Sequence, residues 1–243
     1  MLALAGHKFV ILEFPYALRK FVLAKRKFLG NREIMGDFIS KGTSMSWEKD
    51  YVRSPPWDIH APQPEIVKLA ENNEIKGARV LDIGCGLGDN AIFLAKKGFL
   101  VTGIDIAQLA IEKGKKRAAK QGVTVDFRVG DVFRLDDYFE EESFDTVLDS
   151  GLFHSLDDEE KLPFAKQVWK VLVNGGKYFL LCFSDTEQGS EKPKGINKEE
   201  IRRTFSKMFR VDYLRDAFVA AKIRDGGAGG YIASMTKIVS AHS

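Results

Sequence analysis

The chain has few of the residues from which disulfide-bonded or metal-stabilised domains are built. Its 243 residues include only two cysteines and four histidines. Cys85 and Cys182 lie in separate predicted strands, and neither has the spacing of a metal ligand. We therefore expect no disulfide framework and no metal site, and we expect the protein to work in the reducing cytoplasm.

Long apolar runs are absent as well. A membrane-spanning helix needs about 20 consecutive apolar residues, and no uncharged stretch approaches that length. The N-terminal region also has no apolar segment followed by the small-residue cleavage site of a secretory signal. Neither a spanning helix nor a secretory signal is therefore predicted.

An excess of one charge is confined to the N-terminus. Residues 1–44 contain eight Lys and Arg against three Asp and Glu, a net charge of +5, whereas residues 45–243 contain 29 against 31. Binding to a nucleic-acid backbone depends on clustered basic residues, and the larger part of the chain has no such excess. We do not expect a nucleic-acid substrate.

This break divides the chain into a basic extension, residues 1–44, and one domain, residues 45–243. The extension mixes aromatic and basic residues, which is typical of a targeting peptide or of a helix at a membrane surface. It is equally typical of a disordered or packing extension, or of a stretch ahead of a natural start at Met45, and we favour these interpretations over membrane contact. The sequence does not predict the oligomeric state.

From Ser46 onward, short apolar segments alternate with amphipathic ones. We predict strands at residues 78–83, 100–104, 123–129, 144–148, 177–183, 211–218 and 231–239, and helices at residues 89–97, 108–121, 158–172 and 198–208. Such alternation is typical of a parallel sheet with helices on both faces. Because no helix separates the last two strands, the expected fold is an α/β, Rossmann-like, seven-stranded and mostly parallel sheet with an antiparallel terminal strand.

The first predicted strand runs into a glycine-rich turn that contains Gly84, Gly86 and Gly88. Glycine lets the backbone turn sharply and approach a ligand closely. A dinucleotide site requires a small residue three positions after the second glycine, beside the pyrophosphate, and Asp89 stands there instead. An acidic side chain repels a pyrophosphate but is compatible with a cationic ligand.

Acidic residues end the second and third predicted strands. Asp105 follows Gly84 by about 20 positions, the offset at which a carboxylate accepts hydrogen bonds from a ribose diol. The alternative for Asp105 is a helix N-cap. Asp131 and Val132 can read an adenine through a carboxylate and a backbone amide, and the alternative for Asp131 is an ordinary turn residue.

Together these features resemble the class I S-adenosylmethionine-dependent methyltransferases, over residues 46 to about 238. The resemblance implies that the glycine turn holds the methionine part of S-adenosylmethionine, that the acid after the second strand holds the ribose, and that the acid after the third lies by the adenine. The cofactor would leave as S-adenosylhomocysteine. The residues implied in cofactor binding are Trp47, Trp57, Asp82, Gly84, Cys85, Gly86, Gly88, Asp105, Ile106, Asp131, Val132, Asp149 and Ser150.

Three stretches, residues 47–58, 62–64 and 149–151, resemble the thiopurine, thiol and halide methyltransferases. In thiopurine enzymes the tryptophan-containing N-terminal segment folds over the cofactor, which implicates Trp47 and Trp57. Ordinary packing is the alternative for both, although an aromatic face attracts a sulfonium by about 0.5–2 kcal/mol. Ser150 replaces an arginine of the thiopurine enzymes and argues against a thiopurine substrate. The resemblance implies methyl transfer to a small thiol, halide, phenol or N-heterocycle.

His154 and Asp149 are the predicted catalytic residues, at the end of the fourth strand. An imidazole can deprotonate a phenol or ring nitrogen at neutral pH, and the alternative is that His154 caps or packs the following helix. A thiolate or halide needs no base, only placement in line with the methyl group. Phe153, Phe183 and Phe218 are candidates for an apolar substrate wall.

Two other functions are consistent with a Rossmann-like sheet. One is an NAD-dependent oxidoreductase, which Asp89 and the antiparallel terminal pair disfavour. The other is a non-catalytic methyltransferase-like binding module, since a fold does not fix a function. A degraded glycine turn would be typical of such a module, and the turn in this sequence is intact.

Overall fold

A seven-stranded sheet forms the centre of the protein in a computed structural model, which describes residues 44–185, 195–222 and 227–239. The predicted basic extension lies outside the described residues except for Ser44. The strands are β1 (Arg79–Ile83), β2 (Leu100–Asp105), β3 (Asp126–Val129), β4 (Phe144–Ser150), β5 (Leu172–Phe183), β6 (Phe209–Ala220) and β7 (Gly227–Lys237).

The strand order is β3-β2-β1-β4-β5-β7-β6. The pairs from β3 to β5 are parallel, and β7 is antiparallel to both β5 and β6. The link from Ala220 to Gly227 is too short for a crossover helix, so the chain turns back beside β6. The predicted α/β fold, with one antiparallel strand in a mostly parallel sheet, is confirmed.

Helices cover both faces of this sheet. Among the described residues they are α1 (Ser44–Val52), α2 (Pro64–Glu71), α3 (Asp89–Lys96), α4 (Gln108–Lys120), α5 (Leu135–Tyr138), α6 (Asp158–Val171) and α7 (Lys198–Phe205). Short 3₁₀ turns lie at Val132–Arg134 and Phe153–Ser155. Helices α2 to α4 pack on one face and α5 to α7 on the other.

Neighbouring residues of β1 show how the two faces are filled. Val80 points into the layer under α2 to α4, and Leu81 into the layer under α5 to α7, because side chains alternate along a strand. Both are fully buried, and burial of such a side chain is worth about 1.5–3 kcal/mol. With both faces covered, a ligand can reach the sheet only along the ends of its strands.

Several predicted boundaries were wrong. β5 begins at Leu172 rather than residue 177, directly after α6 ends at Val171, and Leu172 pairs with Phe144. The Asn-Gly-Gly sequence at residues 174–176 is accommodated as an irregularity in β5, where the register shifts and Gly175 has a φ of 74°. The last predicted helix ends at Phe205 rather than residue 208, and β3 begins at Asp126 rather than residue 123.

The C-terminal ends of β1 to β5 all lie at one edge of the sheet, which we call the carboxyl edge. In open α/β sheets ligands bind in the crevice at this edge. The loops that leave it carry the glycine turn, Asp105, Asp131 and the residues after Asp149. The predicted site residues therefore converge from four strands.

Candidate active site

The turn after β1 has a conformation that residues with side chains rarely adopt. Gly84, Gly86 and Gly88 have φ values of 61°, 54° and 79°. At Gly88 the first side-chain carbon would come within 2.4 Å of the Phe127 ring. The turn leads directly into α3 at Asp89, so the N-terminus of this helix lies at the carboxyl edge.

Asp82 is a buried carboxylate with one unpaired oxygen. It lies on β1 and is 1% exposed, and its Oδ2 has no hydrogen-bond partner among the described residues. Burial, together with the neighbouring Asp149 carboxylate, raises the pKa of Asp82 to about 8. Because burying an unpaired carboxylate is costly, this position favours a ligand that brings a positive charge or a hydrogen-bond donor.

Asp105 joins the end of β2 to the glycine turn. Its Oδ2 accepts the Gly86 N–H at 2.9 Å, and its Oδ1 accepts the Ala107 N–H at 2.9 Å. Burial raises the pKa of this carboxyl group, and the two N–H donors act against that rise. Each carboxylate oxygen retains capacity to accept a further hydrogen bond from a ligand hydroxyl. The N-cap alternative for Asp105 was wrong, because the N-cap of α4 is Ala107; Asp105 instead accepts the N–H of Ala107.

Asp131 and Val132 stand beside Asp105 at the carboxyl edge. The Gly130 N–H donates to the Asp105 carbonyl at 2.9 Å, which places the end of β3 next to that of β2. The Asp131 Oδ1 accepts the Phe133 N–H at 2.9 Å and so caps the 3₁₀ turn. Its other oxygen has capacity to accept from a ligand.

Three aromatic side chains of α1 and the following loop gather over the glycine turn. The Tyr51 hydroxyl lies 2.9 Å from the position that a Gly86 side chain would occupy. Trp57 Nε1 donates to this hydroxyl at 3.3 Å, and the Trp47 and Trp57 rings meet edge to face with centroids 5.8 Å apart. The two predicted tryptophans are thus brought together above the turn.

Polar contacts hold α1 and the strap, residues 53–63, in place. The Glu48 carboxylate accepts the Leu109 N–H at 3.2 Å, at the N-terminus of α4 where negative charge is favoured. Arg117 of α4 donates to Asp58 at 3.1 Å and also binds Asp89 at the start of α3. One guanidinium therefore ties the strap to two helices that flank the glycine turn.

Gln63 fastens the far end of the strap to β6. Its amide accepts the Ala220 N–H at 2.9 Å and donates to the Ala220 carbonyl at 2.8 Å. The Lys222 N–H donates to the Pro56 carbonyl at 2.7 Å. The strap thus reaches from the side of α4 to the end of β6 and lies over the carboxyl edge.

Asp149 is turned into the protein rather than toward the edge. It is fully buried, and it accepts the Leu152 N–H at 2.9 Å and the Tyr178 hydroxyl at 3.1 Å. Burial raises its pKa to about 7. These bonds fix the loop after β4, so Ser150 and Gly151, rather than Asp149, present the end of β4 to a ligand.

His154 lies between the loop after β4 and the end of β5. Its Nδ1 accepts the Phe183 N–H at 3.2 Å, and its ring lies against the Phe183 ring with centroids 4.8 Å apart. Burial lowers the pKa of His154 to about 4. With so low a pKa the imidazole is neutral at physiological pH but only a weak base, which argues against the predicted general-base role.

The three predicted wall residues do not share one environment. Phe153 is fully buried against Phe164 and Phe205, beneath α6 and α7, so its prediction as a substrate contact was wrong. Its backbone N–H donates to Asp149, and this bond holds the loop so that the Phe153 side chain packs in the core. Phe183 is half-buried beside His154, and Phe218 is 46% exposed on β6.

Cys85 lies in the turn after β1, and Ile106 follows the end of β2, both at the carboxyl edge. The Cys85 N–H donates to the Ile104 carbonyl at 3.1 Å, and burial raises the pKa of the Cys85 thiol.

In the part of the chain that the structure describes, no cluster of His, Cys, Asp and Glu side chains could hold a metal ion. Within the same residues no helix is long and apolar enough to cross a membrane.

Several residues of the site were not predicted from the sequence. Tyr51, Glu48 and Arg117 act through contacts between residues about 30 to 60 positions apart, which no local pattern indicates. The signals for Glu48 and Tyr51 were the clustering of aromatic residues around Trp47 and Trp57 and the resemblance carried by residues 47–58. Gln63 lay within a stretch that carried the resemblance, but its contact with Ala220 could not be foreseen.

A family model described as a methyltransferase domain matches residues 80–176 of the chain. The chain is 36% identical over 180 residues to a 2-heptyl-1-hydroxyquinolin-4(1H)-one methyltransferase of Mycobacteroides abscessus, and the match covers 72% of this chain and 78% of that protein. It is 27% identical over 177 residues to a probable thiol methyltransferase of Arabidopsis thaliana, covering 71% and 76% of the two chains.

Among solved structures, the chain is similar to one obtained in work on the conversion of a disulfide bond into a thioacetal group during echinomycin biosynthesis. The TM-score is 0.74 at 26% identity, and the match covers 81% of this chain and 93% of the other. The match to the family model, residues 80–176, contains the glycine turn, Asp105 and the end of β4.

Proposed function

The chain belongs to the class I S-adenosylmethionine-dependent methyltransferases, and on this premise we propose that it methylates a small acidic or nucleophilic molecule at the carboxyl edge. The acceptor classes are thiols, halides, phenols and N-heterocycles. The M. abscessus relative is named for a hydroxyquinolone and the A. thaliana relative for thiols, and both names fall within these classes. The NAD-dependent alternative receives no support from the similar proteins.

The observation that carries the proposal is the unpaired Oδ2 of Asp82 beneath the glycine turn. S-adenosylmethionine has an ammonium group on its methionine part, and such a group provides both a positive charge and N–H donors. These are what a buried, unpaired carboxylate lacks. The residues at the turn therefore fit the methionine part of this cofactor.

The remaining contacts are proposed from the positions of the side chains at the edge. The backbone of Gly84, Gly86 and Gly88 approaches the methionine part, and Asp105 accepts hydrogen bonds from the ribose hydroxyls. The adenine lies by Asp131 and Val132. When bound, S-adenosylmethionine supplies a methyl group that is activated by its positively charged sulfur.

The chain's own residues bind the cofactor, orient it and exclude water. Trp47, Trp57 and Tyr51 cover the glycine turn, and an aromatic face is favourable beside a cation by about 0.5–2 kcal/mol. Ser150 and Gly151 present the end of β4 to the acceptor. Placing the acceptor in line with the methyl group removes most of the entropic cost of the encounter, and this proximity supplies the largest contribution to rate.

We also propose that residues 45–243 form the whole catalytic domain and that the protein acts in the cytoplasm. The concentration of basic residues in the first 44 positions leaves the domain with little net charge, which supports a small molecule rather than a nucleic acid as acceptor.

Calorimetry with S-adenosylhomocysteine tests the cofactor assignment. We expect tight binding of S-adenosylhomocysteine and none of NAD. Asp82→Asn should weaken binding by about tenfold to 150-fold, because a charge-assisted bond is worth about 1.5–3 kcal/mol. Asp126→Asn, an exposed carboxylate at the opposite end of β3, is the matched control and should bind as the parent does. Tight NAD binding would refute the assignment.

A further inference from the structure

The His154 ring is fixed with one nitrogen facing inward. Because Nδ1 accepts the Phe183 N–H at 3.2 Å, Nδ1 carries no hydrogen. A neutral imidazole then carries its hydrogen on Nε2. The backbone of β5 thereby selects one tautomer, and Nε2 is a hydrogen-bond donor.

Nε2 reaches an accessible surface beside the end of β4. No described residue bonds to Nε2, and Nε2 is not fully buried. A side-chain carbon at Gly151 would lie 3.5 Å from Cε1 of the ring and 3.9 Å from Nε2, in ordinary van der Waals contact. The donor therefore faces the loop at which the acceptor is expected.

Among the residues that the structure describes, no charged neighbour supports an imidazolium at this position. Burial alone lowers the pKa of His154 to about 4, without a contribution from any carboxylate. Asp149 is the nearest acidic residue along the loop, and its oxygens are directed to Leu152, Phe153 and Tyr178. Taking up a proton would also break the bond to Phe183. His154 is therefore a donor across physiological pH and a poor base.

Resting on the proposed methyltransferase function, we propose that Nε2–H of His154 holds an acceptor that has already ionised in solution. The matching substrate class is a small acidic aromatic, a thiol or a hydroxylated ring, whose flat body lies against Phe183. The acceptor gives its proton to solvent, and its lone pair then displaces sulfur from the methyl carbon. The pair of the broken carbon–sulfur bond stays on sulfur, so no base in the protein is required.

This role has a kinetic signature that differs from that of a base. Negative charge leaves the acceptor as the new bond forms, so the bond from Nε2 is at least as strong in the bound anion as in the transition state. Its loss should therefore raise KM and leave kcat within a few-fold. A charge-assisted bond of this kind corresponds to a rise in KM of about tenfold to 150-fold.

Two variants of the full-length protein separate the two sides of the ring. His154→Asn places an amide oxygen where Nδ1 accepts from Phe183 and removes the outer donor. His154→Gln restores an N–H donor near the position of Nε2. Both are assayed with 4-nitrothiophenol and 4-methoxythiophenol, two flat thiols of different acidity, and S-adenosylhomocysteine binding and circular dichroism verify each fold.

For the wild-type protein, kcat/KM should rise with pH to a plateau whose position follows the pKa of each thiol. His154→Asn should raise KM by the stated factor at unchanged kcat, and His154→Gln should recover part of the loss. A KM that is unchanged in His154→Asn would show a structural residue only. A lower kcat in His154→Asn, together with a rise of kcat/KM at the same pH for both thiols in the wild-type protein, would show that His154 acts as a base. Either result overturns the proposal.

The wild-type protein alone also tests the inference if a variant fails to fold. A pH limb that does not move between the two thiols would contradict it. If neither thiol is methylated while S-adenosylhomocysteine still binds, the substrate class is wrong and the cofactor assignment stands. Failure to bind S-adenosylhomocysteine would instead refute the proposed function.

Discussion

Asp82 and Asp105 are buried carboxylates of adjacent strands whose hydrogen bonding differs. Asp105 already accepts two backbone N–H groups, whereas Asp82 has an oxygen with no partner among the described residues. Asp105 is thus suited to accept hydrogen bonds from neutral hydroxyl groups, and Asp82 is suited to pair with a cation. A cofactor with a ribose at one end of the turn and an ammonium at the other satisfies both.

Asp105→Asn should weaken S-adenosylhomocysteine binding by about tenfold to 150-fold, because it removes charge-assisted acceptance of ribose hydroxyls. Asparagine keeps one oxygen for the Gly86 or Ala107 N–H, so the variant is expected to fold. Titration calorimetry measures the affinity. Asp137→Asn, an exposed partner of Arg134, is the control, and equal affinity of all three proteins would remove Asp105 from the site.

Binding of S-adenosylhomocysteine should release a proton. The pKa of about 8 keeps most Asp82 protonated in the free protein at pH 7, and pairing with an ammonium favours the ionised form. Affinity should therefore rise with pH until about 8. The apparent binding enthalpy at pH 7 should differ between phosphate and Tris buffers, and this difference should vanish in Asp82→Asn. A difference that persists in the variant would contradict the pairing.

The same raised pKa bears on the stability of the free protein. In the unfolded chain Asp82 has a pKa near 3.8, whereas in the folded protein its pKa is about 8. Between these pH values the folded protein keeps the proton that the unfolded chain has released. Its contribution is therefore fully present below pH 3.8 and is lost as pH rises to about 8. If Asp82 pairs with the ammonium group as proposed, ligand binding should recover this cost.

At the scale of elements, α1 and the strap form the cover of the site. They belong to neither layer of the sheet. Three contacts fix them: Glu48 of α1 binds the N-terminus of α4, Arg117 binds Asp58 of the strap, and Gln63 binds β6. Val52 and Trp57 are 68% and 40% exposed, but Tyr51 is buried in a small apolar cluster with residues of the glycine turn and of the start of α4. Because only part of the segment is packed, it can open at lower cost than the sheet to admit a ligand.

Arg117→Met should loosen this cover. It leaves the buried Asp58 carboxylate without its guanidinium partner, which should lower the free energy of unfolding by about 1–3 kcal/mol and speed S-adenosylhomocysteine dissociation. Urea unfolding and stopped-flow tryptophan fluorescence measure the two effects. Lys116→Met, an exposed basic neighbour on α4, is the matched control. Parent-like dissociation in Arg117→Met would show that the strap does not cover the ligand.

At the scale of the whole molecule, every strand, helix and site residue of the account lies within residues 44–239. Deletion of residues 1–43 should therefore leave a protein that folds and binds S-adenosylhomocysteine. Deletion through Trp57 should abolish binding, because it removes α1 and the aromatic cover. Calorimetry on both truncated proteins measures this, and loss of binding in the shorter deletion would show that the extension belongs to the site.

The sheet was predictable because each β-α unit has a local pattern in the sequence: an apolar segment, then glycines, then an amphipathic segment. The glycine turn and Asp105 were predictable for the same reason, since they are fixed by spacing from β1. What could not be predicted are the contacts that cross the fold, such as Arg117 with Asp58. Phe153 and His154 show this limit most clearly. Both were expected to face the ligand, but the hydrogen bond from the Phe153 N–H to Asp149 holds the loop so that the Phe153 side chain packs in the core.

The most direct test is transfer of a labelled methyl group. The full-length protein is incubated with methyl-labelled S-adenosylmethionine and a panel of thiols, halides, phenols and N-heterocycles, and the label is followed into product. We predict acceptor-dependent transfer with one S-adenosylhomocysteine formed per product, lost or strongly reduced in Asp82→Asn at subsaturating cofactor. Tight S-adenosylhomocysteine binding without transfer to any acceptor in the panel would contradict the account and indicate a binding module.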